Sequence, residues 1–162
     1  MTTPALFFAR ATNRLFASEY VEWAISMLEQ DFDSPSLRIL AGLDGSSLFE
    51  ADDYFRRVLR ELHIPEPDSE ASMRAYACDL ATRFVAGTLD AKNGVRQLYR
   101  MCLAADCAKD FIVWFYLDDA LDDIEAGQYP HTYESLTTAN LEETVRTEAK
   151  LFLEGFCHAN VA

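Results

Sequence analysis

Five carboxylates lie within eight consecutive positions of segment 111–131, immediately after seven apolar residues in a row. Carboxylates at this density can solvate a helix surface, hold a hard cation such as Mg²⁺, or bind a cationic partner. Which of these applies depends on the element that carries them and on the charges around it. The members of this acidic cluster are Asp118, Asp119, Asp122, Asp123 and Glu125.

The residues before and within the acidic cluster follow the period of an α-helix. One apolar stripe continues along the whole segment, whereas the opposite face is apolar before residue 118 and acidic after it. A helix that is apolar on all sides is buried, and one with a single apolar stripe lies at the surface. We therefore expect a helix at about residues 107–126 that begins in the core and ends at the surface. The stripe consists of Val113, Trp114, Leu117, Leu121 and Ile124.

Helix electrostatics disfavour aspartates at these positions. Asp118 with Asp122, and Asp119 with Asp123, are like charges four residues apart, and each such pair costs roughly 0.2–0.5 kcal/mol. The cluster also lies toward the C-terminal end of the expected helix, where negative charge opposes the macrodipole. Residues that break a local rule mark candidate functional sites. A solvated face without a role is the simplest interpretation, and a partner-binding surface is the functional one.

The net charge indicates the class of partner. The chain carries a formal charge of −13, and residues 101–162 hold 12 acidic residues against three basic ones. Nucleic acids and anionic membranes require Lys and Arg on the protein that binds them. We therefore expect a basic protein partner, no nucleic acid and no membrane.

The predicted function is that of a non-enzymatic binding module, an inhibitor of the immunity or antitoxin type. Acidic surfaces speed association with a basic partner, but affinity requires an aromatic or apolar anchor beside them. Tyr129 and Tyr133 follow Gly127 in the loop after the cluster, and we expect them to supply that anchor. No histidine shares a recognisable motif with a nucleophile, and there is no glycine-rich phosphate loop. We therefore predict no catalytic residue, no metal ligand and no cofactor.

An alternative comes from the sequence DDALDD, which resembles the DDxxD motif of terpenoid synthases. In that family the aspartates hold magnesium ions against a substrate diphosphate. Asn140, Thr144 and Glu148 have the spacing of the family's second metal motif, N-x-x-x-[ST]-x-x-x-E. The resemblance covers about thirty residues, and the two motifs lie about twenty positions apart, whereas family members separate them by most of a helical bundle. It implies a small metal-dependent helical enzyme; a structural or adaptor subunit is a further alternative.

The elements that must position these residues are all expected to be helices. Ser34 followed by Pro35, and the capping box formed by Ser47 and Glu50, are typical helix starts, whereas Gly87 is a typical stop. The fold class predicted is all-α, a single compact domain over residues 1–162 in which six or seven short helices pack at angles. The expected helices are at about residues 18–30, 34–42, 47–64, 69–86, 90–105, 107–126 and 140–156.

The N-terminal residues lack the basic start and the long apolar run of a signal peptide, and no apolar stretch approaches the ~18 residues of a membrane span. These features predict a cytoplasmic protein. Cysteines in that compartment are usually reduced and behave as small buried apolar residues. We therefore expect four free thiols in the core, at Cys78, Cys102, Cys107 and Cys157.

Segments 20–45, 55–62 and 79–100 resemble a loose group of small bacterial helical proteins of unassigned function. The three segments lie within residues 20–100, and the resemblance implies a helical fold without transferring an active site. In size and charge the chain is also similar to immunity proteins of bacterial toxin systems. The positions that carry the first resemblance are Trp23, Ser34, Leu40, Leu43, Leu59, Gly87, Asp90 and Gly94.

Overall fold

The computed structural model describes residues 1–158. This part of the chain forms eight α-helices and one short π-helical segment, Leu153–Cys157, and contains no β-strand. The all-α prediction is therefore confirmed. The helices are α1 Thr3–Ala11, α2 Ala17–Glu29, α3 Pro35–Ala41, α4 Leu48–Glu61, α5 Ser69–Val85, α6 Ala91–Ala104, α7 Ile112–Glu125 and α8 Leu141–Phe152.

The predicted count of six or seven helices is wrong because α1 was not expected. Its nine residues are too few for a helical period to emerge, but its start is capped. The Thr2 hydroxyl accepts a hydrogen bond from the Ala5 backbone N–H at 3.4 Å, and Pro4 occupies the first turn. Leu6 and Phe7 are buried. A helix this short is stabilised by its packing rather than by its own propensity.

Two helix starts differ from the sequence-based expectation. Helix α2 was expected to begin at about residue 18, but it begins at Ala17 after the cap residue Phe16, whose backbone N–H donates to the Glu19 carboxylate at 2.7 Å. Helix α7 begins at Ile112 rather than near residue 107, because residues 105–111 form turns instead of continuing the helix. The caps at Ser34 and Ser47 are confirmed, since both hydroxyls accept a backbone N–H three residues later.

The chain divides into two compact units, one from Met1 to Tyr76 and a second that begins at Ala77. In the first unit, α2, α3 and α4 pack against one another. The Phe55 ring is completely buried and contacts the rings of Phe7, Tyr20 and Trp23, with centroids 5.0–5.8 Å apart. The single domain and the angled packing of its helices stay predictions.

The core of the second unit is built around Trp114 of α7. Its ring stacks on Phe84 of α5 at 6.1 Å and meets Phe152 of α8 edge-on at 5.7 Å. Helix α6 packs against α7 and passes close to α5 at Gly94, where a Cβ would lie 1.9 Å from the Phe84 ring. The packing of α6 against α7 places Lys92 and Arg96 beside the acidic cluster.

The prediction of four free thiols is wrong for two of the cysteines. Cys78 in α5 and Cys157 in the π-helical segment form a disulfide, with Cα atoms 5.9 Å apart. They are 79 residues apart in sequence, so no local spacing indicated the pair. Cys102 and Cys107 are free, the first buried and the second half-buried. None of the helices within residues 1–158 has the length and apolar character needed to cross a membrane.

Candidate functional site

Asp118 is the one member of the acidic cluster that is buried, with 5% of its surface exposed. Its carboxylate contacts the Arg96 guanidinium of α6 at 2.9 Å. Burial raises the pKa of Asp118 above its ordinary value, while the Arg96 charge acts in the opposite direction. The side chain is therefore an internal partner of α6 and does not present its charge to solvent.

Arg96 also holds the next carboxylates along this side of α7. Its Nη2 atom lies 2.6 Å from Asp122 and 3.3 Å from Glu125, and Lys92 reaches Glu125 at 3.1 Å. The hydrogen bond to Asp122 raises the pKa of the guanidinium. Three of the five carboxylates thus form an inner row that two cations of α6 contact, and these cations offset part of the repulsion expected along the helix.

Asp119 and Asp123 form a separate, outer row on α7. Asp119 is exposed, and within residues 1–158 no hydrogen bond or ion pair is found for it. The Asp123 carboxylate accepts the backbone N–H of His131 at 3.2 Å. The Thr132 hydroxyl donates to the Tyr116 carbonyl at 3.0 Å, so the loop after α7 folds back along this row.

The returning loop places aromatic rings beside the outer row. Tyr129 is 58% exposed, and its ring meets His131 edge-on at 5.7 Å. Tyr116 is also exposed and lies three residues before Asp119, on the same side of α7. We call this surface the α7 outer face. It consists of Tyr116, Asp119, Asp123, Tyr129 and His131.

Tyr133 lies apart from the α7 outer face. Its hydroxyl donates to the Glu148 carboxylate of α8 at 2.6 Å, and the side chain is half-buried. Burial and the Glu148 charge together raise the pKa of Tyr133 to about 12. The contact fixes the residue against α8, whereas Tyr129 stays accessible.

Asp118, Asn140 and Glu148 of the terpenoid-like motifs have partners within the protein. The Arg96 guanidinium is the cation beside Asp118, where the motif would hold a metal ion. The Glu148 carboxylate accepts a hydrogen bond from the Tyr133 hydroxyl. The Asn140 amide accepts from the Thr137 N–H at 2.7 Å and donates to the Ser135 carbonyl at 2.8 Å. Within the described part of the chain, no three His, Cys, Asp or Glu side chains cluster as a metal ion requires. The contact of Asp118 joins α7 to α6, and that of Glu148 joins α8 to the loop before it.

The first unit contains a polar network that the sequence did not indicate. The Asp52 carboxylate accepts from the buried Tyr20 hydroxyl at 2.8 Å and from Arg10 Nε at 2.9 Å. Burial tends to raise the pKa of Asp52, but the two hydrogen bonds bring it below its ordinary value. Arg10 and Asp52 are 42 positions apart, so no motif connects them. The network lines an open cleft of about 670 Å³ and holds α1, α2 and α4 together.

Comparison of the chain with protein-family models, curated proteins and solved structures finds no match. The resemblances to small bacterial helical proteins and to immunity proteins therefore stay hypotheses. Any function has to be inferred from the chemistry of the surfaces described above.

Proposed function

We propose that this chain is a non-enzymatic binding protein that holds a basic protein partner against the α7 outer face. One observation carries the proposal: the inner carboxylates have cations from α6, whereas Asp119 projects to solvent beside exposed tyrosines. A carboxylate placed against the helix dipole without an internal cation gains most from a cation on another molecule.

The surroundings of Asp119 support a contact with Lys or Arg. Exposed aromatic rings bind cations over their faces and contribute the apolar area on which affinity depends. Tyr116 on α7 and Tyr129 in the loop that is bonded to Asp123 provide such exposed rings. The charge of −9 over residues 101–162 would attract a basic protein from a distance and speed its association.

The more specific form of the proposal is an inhibitor of the immunity or antitoxin type. A toxin that acts on nucleic acids needs a cationic active site in order to bind phosphates. Carboxylates at Asp119 and Asp123 would occupy the same positive groups. Because such contacts need no reaction, the proposed protein acts by steric and electrostatic blocking and requires no cofactor.

Amide-resolved NMR titration with a hexa-arginine peptide tests the surface directly. We expect chemical-shift changes concentrated between residues 116 and 131, with binding weakened in the double variant Asp119→Asn with Asp123→Asn. Asparagine retains the oxygen that accepts the His131 N–H, so the loop should keep its position. The matched control, Glu22→Gln with Glu29→Gln, removes the same charge from two exposed positions of α2.

Two results would contradict the proposal. Shift changes spread evenly over all acidic residues would mean that the peptide senses only net charge. Equal weakening in the α2 control would lead to the same conclusion. In either case the α7 outer face would be a solvated surface without a partner.

The inhibitor form has its own experiment, which uses the protein encoded by the neighbouring gene. We expect cells that express this neighbour alone to lose viability and co-expression of the wild-type chain to restore growth. Co-expression of Asp119→Asn with Asp123→Asn should protect less well. A harmless neighbour, or protection that is independent of both aspartates, would remove the inhibitor assignment.

A structural subunit that self-associates is the second candidate, and exposed apolar side chains of the first unit favour it. Phe49 is 87% exposed and Phe16 is 73% exposed, and aromatic residues are enriched where protein surfaces meet. We expect a second copy of the chain to cover these exposed side chains. Light scattering should then show a dimer that dissociates in Phe16→Ser with Phe49→Ser, and a wild-type monomer at every concentration would exclude it.

A further inference from the structure

Helix α6 ends in a complete Schellman motif whose two contacting positions are both cysteines. The Cys107 N–H donates to the Cys102 carbonyl at 2.8 Å, and the Asp106 N–H donates to the Leu103 carbonyl at 3.2 Å. Asp106 and Cys107 have φ angles of 52° and 50°, which reverse the chain after the cap residue Ala105. This motif brings the side chains of its first and last residues into contact.

The two thiols are neighbours at the end of α6, where the backbone bond between their residues holds them, and they differ in access to solvent. Cys102 is completely buried, whereas Cys107 is half-buried. Burial, together with the neighbouring Cys107 thiol, raises the pKa of Cys102 to about 12. Both thiols are free, although the same unit already contains the disulfide between Cys78 and Cys157. The second unit therefore carries one formed bridge and one unbridged pair in contact.

We propose that Cys102 and Cys107 form an oxidisable dithiol that a hydroperoxide converts into a disulfide. The Cys107 thiolate attacks the peroxide oxygen, the O–O bond breaks, hydroxide leaves, and Cys107 becomes a sulfenic acid. The Cys102 sulfur then attacks the Cys107 sulfur, the S–O bond breaks, and water leaves with the Cys102 proton. In total, two thiols and one hydrogen peroxide give one disulfide and two waters.

The geometry assigns an order to these steps. Only Cys107 is accessible to a peroxide in solution, and a thiol held protonated inside the core is a poor first nucleophile. Cys102 instead acts as the resolving thiol, because the Schellman motif holds it against Cys107. The new disulfide would tie the end of α6 to the turns that lead into α7.

Peptide mapping of the peroxide-treated full chain tests the proposal. Trypsin releases residues 101–109 as one peptide that contains both cysteines, so the disulfide appears there as the loss of two hydrogen atoms. The Cys78–Cys157 bridge joins two other peptides, residues 75–83 and 151–162, and does not interfere. We expect the mass loss to appear with peroxide and to be reversed by dithiothreitol.

Single variants test the order of the steps. In Cys102→Ala the resolving thiol is absent, so peroxide should leave a sulfenic acid on Cys107 that dimedone traps. Cys102→Ser removes the same thiol and replaces Cys102→Ala if the smaller alanine side chain disturbs the core. Cys107→Ser should react at least roughly tenfold more slowly, because the remaining thiol is buried. Circular dichroism confirms that each variant is folded.

Three outcomes would overturn the proposal. The wild-type peptide 101–109 could keep both thiols under peroxide. It could accumulate sulfinic acid on Cys107 without losing two hydrogens. Alternatively, Cys107→Ser could react as fast as Cys102→Ala, which would mean that Cys102 is not protected by burial.

Discussion

At the scale of single residues, the guanidinium of Arg96 supplies the positive charge that three carboxylates of α7 lack on their own helix. Removing it leaves Asp118 buried without a counter-charge, which is far more costly than losing a surface ion pair. We expect Arg96→Met to lower the free energy of unfolding by about 2–3 kcal/mol, since the side chain is partly exposed. Urea unfolding followed by circular dichroism measures the change.

Lys92→Met is the matched control for Arg96, because it removes a cation from the same face of α6. Lys92 pairs with Glu125 at a solvent-exposed position, where ion pairs contribute less than about 1 kcal/mol. Equal destabilisation by the two substitutions would mean that burial of Asp118 has no special effect. Arg96 would then act only as a surface charge.

The raised pKa of Asp118 predicts how the free energy of unfolding depends on pH. Burial raises this pKa in the folded protein above the ordinary value of 3.8. The folded state therefore holds the proton more tightly than the unfolded chain, and this residue's contribution to stability falls as pH rises from about 3.8 through the raised pKa. Asp118→Asn removes that dependence. As pH rises through this window, the free energy of unfolding of the variant should increase relative to that of the wild type, as urea titrations at successive pH values would show. A difference that stays constant or shrinks as pH rises would contradict the prediction.

The acidic cluster was visible in the sequence, but its division into two rows was not. The local sequence of α7 contains only acidic charges around the cluster, so it indicates repulsion and an unfavourable macrodipole but no compensating cation. The cation that offsets them, Arg96, lies 22 positions before Asp118 and approaches only through tertiary packing. The helical period does separate Asp119 and Asp123 from Asp118 and Asp122, yet it gives no information on which pair faces another helix.

At the scale of helices, Gly94 allows α6 to approach α5. A methyl group there would lie 1.9 Å from the Phe84 ring, far inside van der Waals contact, and Phe84 is itself stacked on Trp114. We expect Gly94→Ala to lower the free energy of unfolding by about 1–3 kcal/mol despite alanine's higher helix propensity. Thermal and urea unfolding both report this change.

Gly155→Ala provides the comparison for Gly94, because a Cβ at residue 155 meets no atom within 4 Å. This substitution should be neutral or stabilise the protein by about 0.5–1 kcal/mol, since alanine loses less backbone entropy. Destabilisation of similar size at both positions would show that steric overlap with Phe84 is not the cause.

Helix positions were predicted well where the helix begins or ends at a capping or stop residue that the local sequence shows. Ser34, Ser47 and Asp90 each accept a backbone N–H at the start of a helix, and Gly87 has the positive φ angle of a helix stop. Helix α1 and the true start of α7 were missed for a common reason. Both depend on packing of aromatic residues, including Phe7 and Phe111, against distant elements.

At the scale of the whole molecule, composition predicted helices and a concentration of acid but failed for the cysteines. Four cysteines allow three connectivities of two disulfides, and the reducing compartment that the sequence predicts would contain none of them. The bridge that is present joins α5 to the π-helical segment across 79 residues. Proximity of this kind arises only after α5 and α8 have packed into the second unit.

The Cys78–Cys157 bridge should contribute strongly to stability because it closes such a long loop. In the chain-entropy model, closing a loop of this length destabilises the unfolded chain by about 4.5 kcal/mol at room temperature. We expect Cys78→Ala with Cys157→Ala to lower the free energy of unfolding by about that amount. Dithiothreitol should lower the stability of the wild type to the same level and leave the double variant unchanged. A double variant that is as stable as the oxidised wild type would mean that packing of the π-helical segment holds the two elements together without the bridge.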